Sequence, residues 1–241
     1  MFSAIFAFVL VTAYAAEELP SYIRVCGRKN PNYNECLSDS INIAKNKVCT
    51  GMPEFGIPPS EPLTVDKVVF YNSDNLKLNI EDVKVTGFCN FEVKSVNTSS
   101  DRLHFEIDVV HKHIQLVSKY DVDIRILVPL INKGLVHIFL DNLDSKLILD
   151  LKIETKNNKT EVYASKVNVN TYIKSFTFEF DNSMKDLIQL HEGIRQVVNN
   201  NQQDFLNIIE PVMEKKISEI IVSVINKITY KRMEQVFPDK P

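Results

Sequence analysis

The sequence holds no surplus of positive charge: 28 Lys and Arg stand against 31 Asp and Glu, a net charge of −3. That balance gives no electrostatic case for nucleic acid or an anionic membrane surface as a partner. Glycine is scarce, at six in 241 residues, and there is no Gly-x-Gly-x-x-Gly, no P-loop and no Gly-x-Ser-x-Gly elbow. Without a nucleophile motif or a phosphate cradle, nothing points to an enzyme or calls for a cofactor. No Cys-x-x-Cys offers the close ligand spacing of a zinc site, and His191-Glu192 lacks the second histidine of a zincin helix. After residue 16, no apolar stretch reaches the roughly 18 residues a spanning helix needs, so no stable membrane insertion is expected. No linker rich in Pro, Gly or Ser divides the chain. With 44% hydrophobic and 24% charged residues, residues 17–241 read as one globular domain.

Residues 1–16 read as a signal peptide. Phe2 to Val11 is an uncharged apolar run too short to span a bilayer, and Ala13-Tyr14-Ala15 offers small residues where a signal peptidase cuts. A secreted chain changes how Cys26, Cys36, Cys49 and Cys89 are read. Four cysteines in an oxidising compartment favour two disulfides, with three connectivities open. One of these pairs Cys26 with Cys36 across a short loop and leaves Cys49 with Cys89. The sequons at Asn97 and Asn158 fall in polar breaks between strand-like runs, which suits glycosylated surface loops.

The chain is organised around a late apolar helix, from about Gln202 to Lys231. Phe205, Ile208, Ile209, Val212, Met213, Ile217, Ile220, Ile221, Val224, Ile225 and Ile228 recur three and four apart. Such a helix is a rod of roughly 45 Å that solvent should touch only along a narrow strip. Pro211 predicts a kink near Asn207 or a restart. A shorter helix is expected around residues 184–198, and another carrying Leu37, Ile41, Ala44 and Val48, ended by Gly51. The four prolines between Gly51 and Leu63 predict an extended surface strap.

From Val65 to Phe180 the hydrophobic period is two, which predicts nine antiparallel strands with breaks at 97–101, 132–134 and 156–159. Ile114, Leu116, Tyr120, Val122, Ile124, Ile126 and Val128 share one face; Lys119, Asp121, Asp123 and Arg125 share the other. The latter read as a salt-bridged exterior rather than as paired catalytic carboxylates. His111 and His113, two apart, would share a strand face, but a pair without a third ligand makes no metal site. The fold class is therefore α+β: a long C-terminal helix wrapped by a strongly curved antiparallel sheet.

Three stretches carry a resemblance. They are Cys26-Gly27-Arg28-Lys29-Asn30-Pro31-Asn32-Tyr33-Asn34-Glu35-Cys36-Leu37, then Gly51-Met52-Pro53-Glu54-Phe55-Gly56-Ile57-Pro58-Pro59 with Glu61-Pro62-Leu63, and Phe237-Pro238-Asp239 after the long helix. Together they resemble the insect takeout and juvenile hormone binding protein family over nearly all the mature chain. The resemblance implies a helix wrapped in a curved sheet around an apolar tunnel, related to the tubular lipid-binding proteins, and a disulfide between Cys26 and Cys36. Cys49 and Cys89 are then paired by arithmetic alone. Two positions depart from the family's pattern: Asn132 stands where a Pro-Ile-x-Gly-x-Gly turn has its first glycine, and Ile124 replaces a glycine that often follows the family tyrosine, matched here by Tyr120.

The expected function is a secreted, extracellular carrier of a small lipophilic ligand such as an isoprenoid or fatty acid, working by desolvation without bond-making. Burying about 350 Å² of ligand surface at about 25 cal/mol/Å² gives roughly 9 kcal/mol before association costs. Hydroxyl-bearing aromatics suit a polar tether, hence Tyr120 and Tyr172. Phe88, Phe105, Ile124, Phe176, Phe178, Val212, Met213 and Ile220 are the candidate apolar wall. The alternative is an extracellular interaction protein whose tunnel is filled by its own side chains and which acts through a protein receptor.

Overall fold

The structure is a computed structural model that describes residues 19–125, 129–156, 159–181 and 188–241. The expected signal peptide, Asn158, Ile126 and Val128 lie outside the described residues. Helix α1 (Tyr33–Thr50) ends at Gly51, whose φ of 95° is open to glycine and strained for other residues. The proline-rich strap is less extended than its composition predicts. A single 3-10 turn at Pro53–Phe55 folds it back, Met52 and Ile57 bridge, and both side chains are buried.

Seven antiparallel strands follow: β1 (Leu63–Asn72), β2 (Leu76–Thr86), β3 (Phe91–Thr98), β4 (His104–Arg125), β5 (Pro129–Lys156), β6 (Lys159–Tyr172) and β7 (Thr177–Phe180). Their order is β1-β2-β4-β5-β6, with β3 added to β4 and β7 to β5. The two central strands, 22 and 28 residues long, are each served by two shorter ones in tandem. Along one side of β4, β3 pairs with residues 105–111 and β2 with residues 115–124; along β5, β7 pairs with residues 136–139 and β6 with residues 144–156.

Two pairs of predicted strands and two predicted breaks are thereby corrected. The runs at 103–110 and 114–128 belong to one strand, as do those at 135–140 and 146–154. Asn132 to Gly134 is no turn but lies within β5, with Asn132 opposite Val122 and Gly134 opposite Tyr120. Asn97 is the penultimate residue of β3, exposed but inside the strand.

The long strands stay continuous because their inward parity reverses once along their length. On β4 the buried residues run Phe105, Ile107, His111 and then Ile114, Leu116, Tyr120, Val122. On β5 they run Val136, Ile138, Leu140 and then Leu143, Ser145, Leu149, with the reversal at Asn142, whose φ is 53°. Both reversals fall at one level, since His111 opposes Leu143 and His113 opposes Asp141. The expectation that His111 and His113 share a face fails for this reason. His111 is buried, while His113 stands outside at 2.7 Å from Asp141 Oδ1.

Two cores result. The main one joins β1, β2, the later half of β4, the early half of β5 and β7 to α2 (Ile188–Asn200) and α3 (Gln202–Thr229). The second gathers Cys26, Tyr33, Cys36, Phe105, Leu149, Ala164 and Phe237. Both disulfides are present, Cys26–Cys36 and Cys49–Cys89, with Cα atoms 5.9 and 6.2 Å apart. The C-terminal tail, after the one-turn α4 (Met233–Val236), closes on the first disulfide loop: Arg28 N–H donates to Pro238 O at 3.0 Å and Lys29 N–H to Lys240 O at 3.1 Å.

Helix α3 passes through Pro211 without restarting. It runs along the edge strand β6 and also meets β1, the opposite edge of the curled sheet. At β1 the contact is aromatic, with Phe205 4.8 Å from Phe70 and 6.0 Å from Tyr71, centroid to centroid. The helix therefore spans the gap between the two edges of the sheet, and sheet and helix together form the wall of a container.

Candidate ligand-binding site

Tyr120 projects from the even-numbered inner face of β4, opposite Ile80 and Gly134. A Cβ at position 134 would lie 2.8 Å from atoms of the Tyr120 ring, so the glycine is the seat of that ring rather than a turn residue. The hydroxyl donates to Asn132 Oδ1 at 2.7 Å and lies 2.9 Å from His191 Nε2. His191, on α2, stacks on Phe180 with centroids 4.3 Å apart, and Phe180 meets Tyr120 edge-on at 5.1 Å. Phe178 meets Phe180 edge-on at 5.5 Å. Tyr120 and His191 of this three-membered polar group are thus packed against the Phe180 ring. Burial pushes the Tyr120 phenol up, while burial and, to a lesser degree, Arg195 hold His191 below the ordinary histidine value, so both are neutral near pH 7.

Helix α3 supplies the second feature. Its first turns bury Phe205, Leu206 and Ile209, yet from residue 210 to residue 228 no side chain is fully buried. Val212, Met213, Ile217 and Ile220 pack against the main core and Ile225 against the second, and all keep accessible surface. The narrow wet strip expected of this helix falls at Lys215 and Lys216, which are exposed, and the structure adds Glu219 to it. The apolar remainder, predicted to be covered, is only partly so.

Three polar side chains of α3 hold it to the sheet. Glu214 accepts from Thr171 N–H at 2.7 Å and from Thr171 Oγ1 at 3.1 Å, Glu210 accepts from Ile173 N–H at 3.3 Å, and Asn226 Oδ1 accepts from Ala164 N–H at 2.7 Å. Two free donors of the edge strand β6, at Ala164 and Thr171, and the donor of Ile173 just past its end are satisfied this way instead of by another strand. Burial, with Glu214 adding to it, pushes the Glu210 carboxyl up, against the opposing effect of the Ile173 N–H.

Of the residues singled out from sequence, Tyr120, Phe88, Ile124, Phe176, Phe178, Val212, Met213 and Ile220 come together in or against the main core. Phe105 does not: it is buried in the second core beside the Cys26–Cys36 bridge. Tyr172 is also displaced, because Val169 and Thr171 take the inner face of β6 and leave it outside, 58% exposed. The salt-bridged exterior is present, with Lys119–Asp82 and Arg125–Asp123 at 2.7 Å and Lys133–Asp121 at 2.8 Å. His191 was not anticipated, although its spacing to Ile194 and Val198 places all three on one helix face.

A curled sheet closed by one helix, with an incompletely covered apolar wall and a buried polar end, defines a container. The haemolymph juvenile hormone binding protein (JHBP) family matches residues 5–238, and the chain belongs to that family. Among solved structures, Takeout 1 of Epiphyas postvittana is similar at a TM-score of 0.66 and 20% identity, over 85% of this chain and 96% of that one. The two share a fold. A lipopolysaccharide binding protein aligns at a TM-score of 0.46 and 13% identity, over 81% of this chain and 39% of that one. No curated protein sequence matches the chain.

Proposed function

We propose that the chain is a secreted, extracellular carrier that holds one small lipophilic ligand between α3 and the sheet, with Tyr120 at the polar end of the space. The observation that carries this reading is the apolar wall of α3. Between Val212 and Ile228, Ile and Val side chains that pack against the cores keep accessible surface, and apolar surface left open inside a wall is surface a lipophilic molecule can cover. Membership of the JHBP family and the fold shared with Takeout 1 support the same reading. Binding proceeds by desolvation, with Phe88, Ile124, Phe176, Phe178, Val212, Met213 and Ile220 as the proposed contacts. Two disulfides suit an oxidising compartment, and we extend the proposal to cleavage of residues 1–16 and to glycans at Asn97 and Asn158.

Native mass spectrometry of the chain secreted from eukaryotic cells tests this. A carrier releases a lipophilic mass on collisional activation, or takes one up from a mixture of fatty acids and isoprenoids. A chain that neither carries nor takes up such a molecule is the filled interaction protein instead.

A further inference from the structure

The Tyr120 hydroxyl has one proton and two lone pairs, and its two neighbours use up the proton. Asn132 Oδ1, at 2.7 Å, can only accept, so the phenol gives its proton there and His191 Nε2, at 2.9 Å, donates to the phenol oxygen. Exchanging the oxygen and nitrogen of the Asn132 amide gives the same outcome when His191 carries its proton on Nδ1. The amide N–H would then donate to the phenol, and the phenol proton would go to His191 Nε2. In both arrangements one lone pair is left and no proton.

We infer that Asn132 and His191 set ligand selectivity by turning Tyr120 into a hydrogen-bond acceptor, so that the carrier prefers lipophilic alcohols over ethers, esters and epoxides of the same carbon skeleton. An alcohol brings its own proton to the remaining lone pair. A ligand that can only accept must displace Asn132 or His191, or leave its oxygen buried and unpaired, which is the asymmetry that makes hydrogen-bonding sites selective. Tyr120 is 5% exposed and His191 8%, so water does not substitute freely for the missing partner. Tyr120 also lies in the cluster against which Val212, Met213, Ile217 and Ile220 of α3 pack. This inference rests on the carrier reading, with the ligand's polar end at Tyr120.

Displacement of a fluorescent naphthylamine probe by hexadecanol and by its methyl ether tests it. The wild-type chain is expected to favour the alcohol by roughly three- to tenfold, the range of one net hydrogen bond. Asn132→Ala and His191→Phe singly each leave one acceptor for the phenol proton and keep the preference. The double variant frees the proton, so the preference falls to parity or reverses. Tyr120→Phe, which keeps the ring on Gly134, abolishes the preference with little change in ether affinity. Equal affinities in the wild type, or a double variant that still favours the alcohol, overturn the inference and leave the carrier reading standing. Failure of probe, alcohol and ether to bind the folded protein removes both.

Discussion

Removing the Glu214 carboxylate should loosen the seam that shuts the container. Glu214 satisfies both the backbone N–H and the hydroxyl of Thr171, at 2.7 and 3.1 Å, on a strand edge that no other strand among the described residues covers. Thr171 is 8% exposed, so in Glu214→Ala its N–H keeps no acceptor and reaches water only if α3 lifts. Orphaning a buried donor costs about 1–3 kcal/mol, and the lost hydroxyl bond to a charged acceptor adds about 1 kcal/mol after the hydroxyl rotates to another partner. The expected loss is about 2–4 kcal/mol, a large share of the roughly 5–15 kcal/mol that holds a domain folded. Glu214→Gln keeps a carbonyl oxygen in reach and should lose about 1 kcal/mol. Glu210 provides the contrast. Its single bond is long at 3.3 Å and burial already disfavours its charge, so Glu210→Gln should stay within about 0.5 kcal/mol of wild type. Urea denaturation followed by circular dichroism gives the three values. Amide exchange at Thr171 should accelerate in Glu214→Ala, as should dissociation of a bound probe. A Glu214→Ala protein within 0.5 kcal/mol of wild type, with Thr171 exchange unchanged, would show that the seam is held by apolar contact alone.

Stability should fall as pH drops from 7 to 5. His111 and His191 are both held by burial below the ordinary value of 6.5, so the unfolded chain protonates first and gains on the folded one as pH falls through that value. His104, raised by Asp150, acts in the opposite direction, but it stands in solvent; a melting series in which His191→Gln does not flatten the decline would remove His191 from the account. Gly134→Ala drives a Cβ to within 2.8 Å of the Tyr120 ring and should lower stability by about 1–3 kcal/mol, together with an altered tyrosine near-ultraviolet signal. Thiol labelling of the denatured, nonreduced chain should find no free cysteine, and peptide mapping should recover Cys26–Cys36 and Cys49–Cys89. Ile124→Gly, on a half-buried side chain packed against the main core, should lose about 2–5 kcal/mol; if Ile124 lines the ligand space, bulky ligands restore part of that loss, and an unchanged ligand size range would remove it from the site.

The parts of this fold that sequence made legible are those where one local period governs burial. The alternation from Ile114 to Ile124 and the three-four spacing of α3 each name a face, and the cysteine box and proline-rich strap add family resemblance. What sequence hid lies where a second constraint overrides the period. Lys112 and Asn142 sit at the parity reversal of β4 and β5, and a reversal reads as a break between two strands because period-two patterning cannot tell an inversion from an end. Asn132 to Gly134 reads as a turn because Asn and Gly favour turns. Only the ring of Tyr120, brought opposite by the register, shows why glycine is needed within a strand.

The polar contacts of the site were hidden for a related reason. Tyr120, Asn132 and His191 belong to two strands and a helix, and the hydroxyl reaches its partners across 12 and 71 residues. No spacing rule covers such distances. The same holds for Glu214, which on α3 alone reads as one more charge on a wet strip. Its role exists only because β6 is the last strand of the sheet and must give its donors to something. In this chain the apolar residues mark the inner faces of helix and sheet by local pattern, and the enclosed tunnel is what the family resemblance implies. The residues proposed to hold it shut and to select a ligand's end group are polar, few and far apart in sequence, and it is the register of β4 on β5 and the docking of α2 and α3 that give them partners.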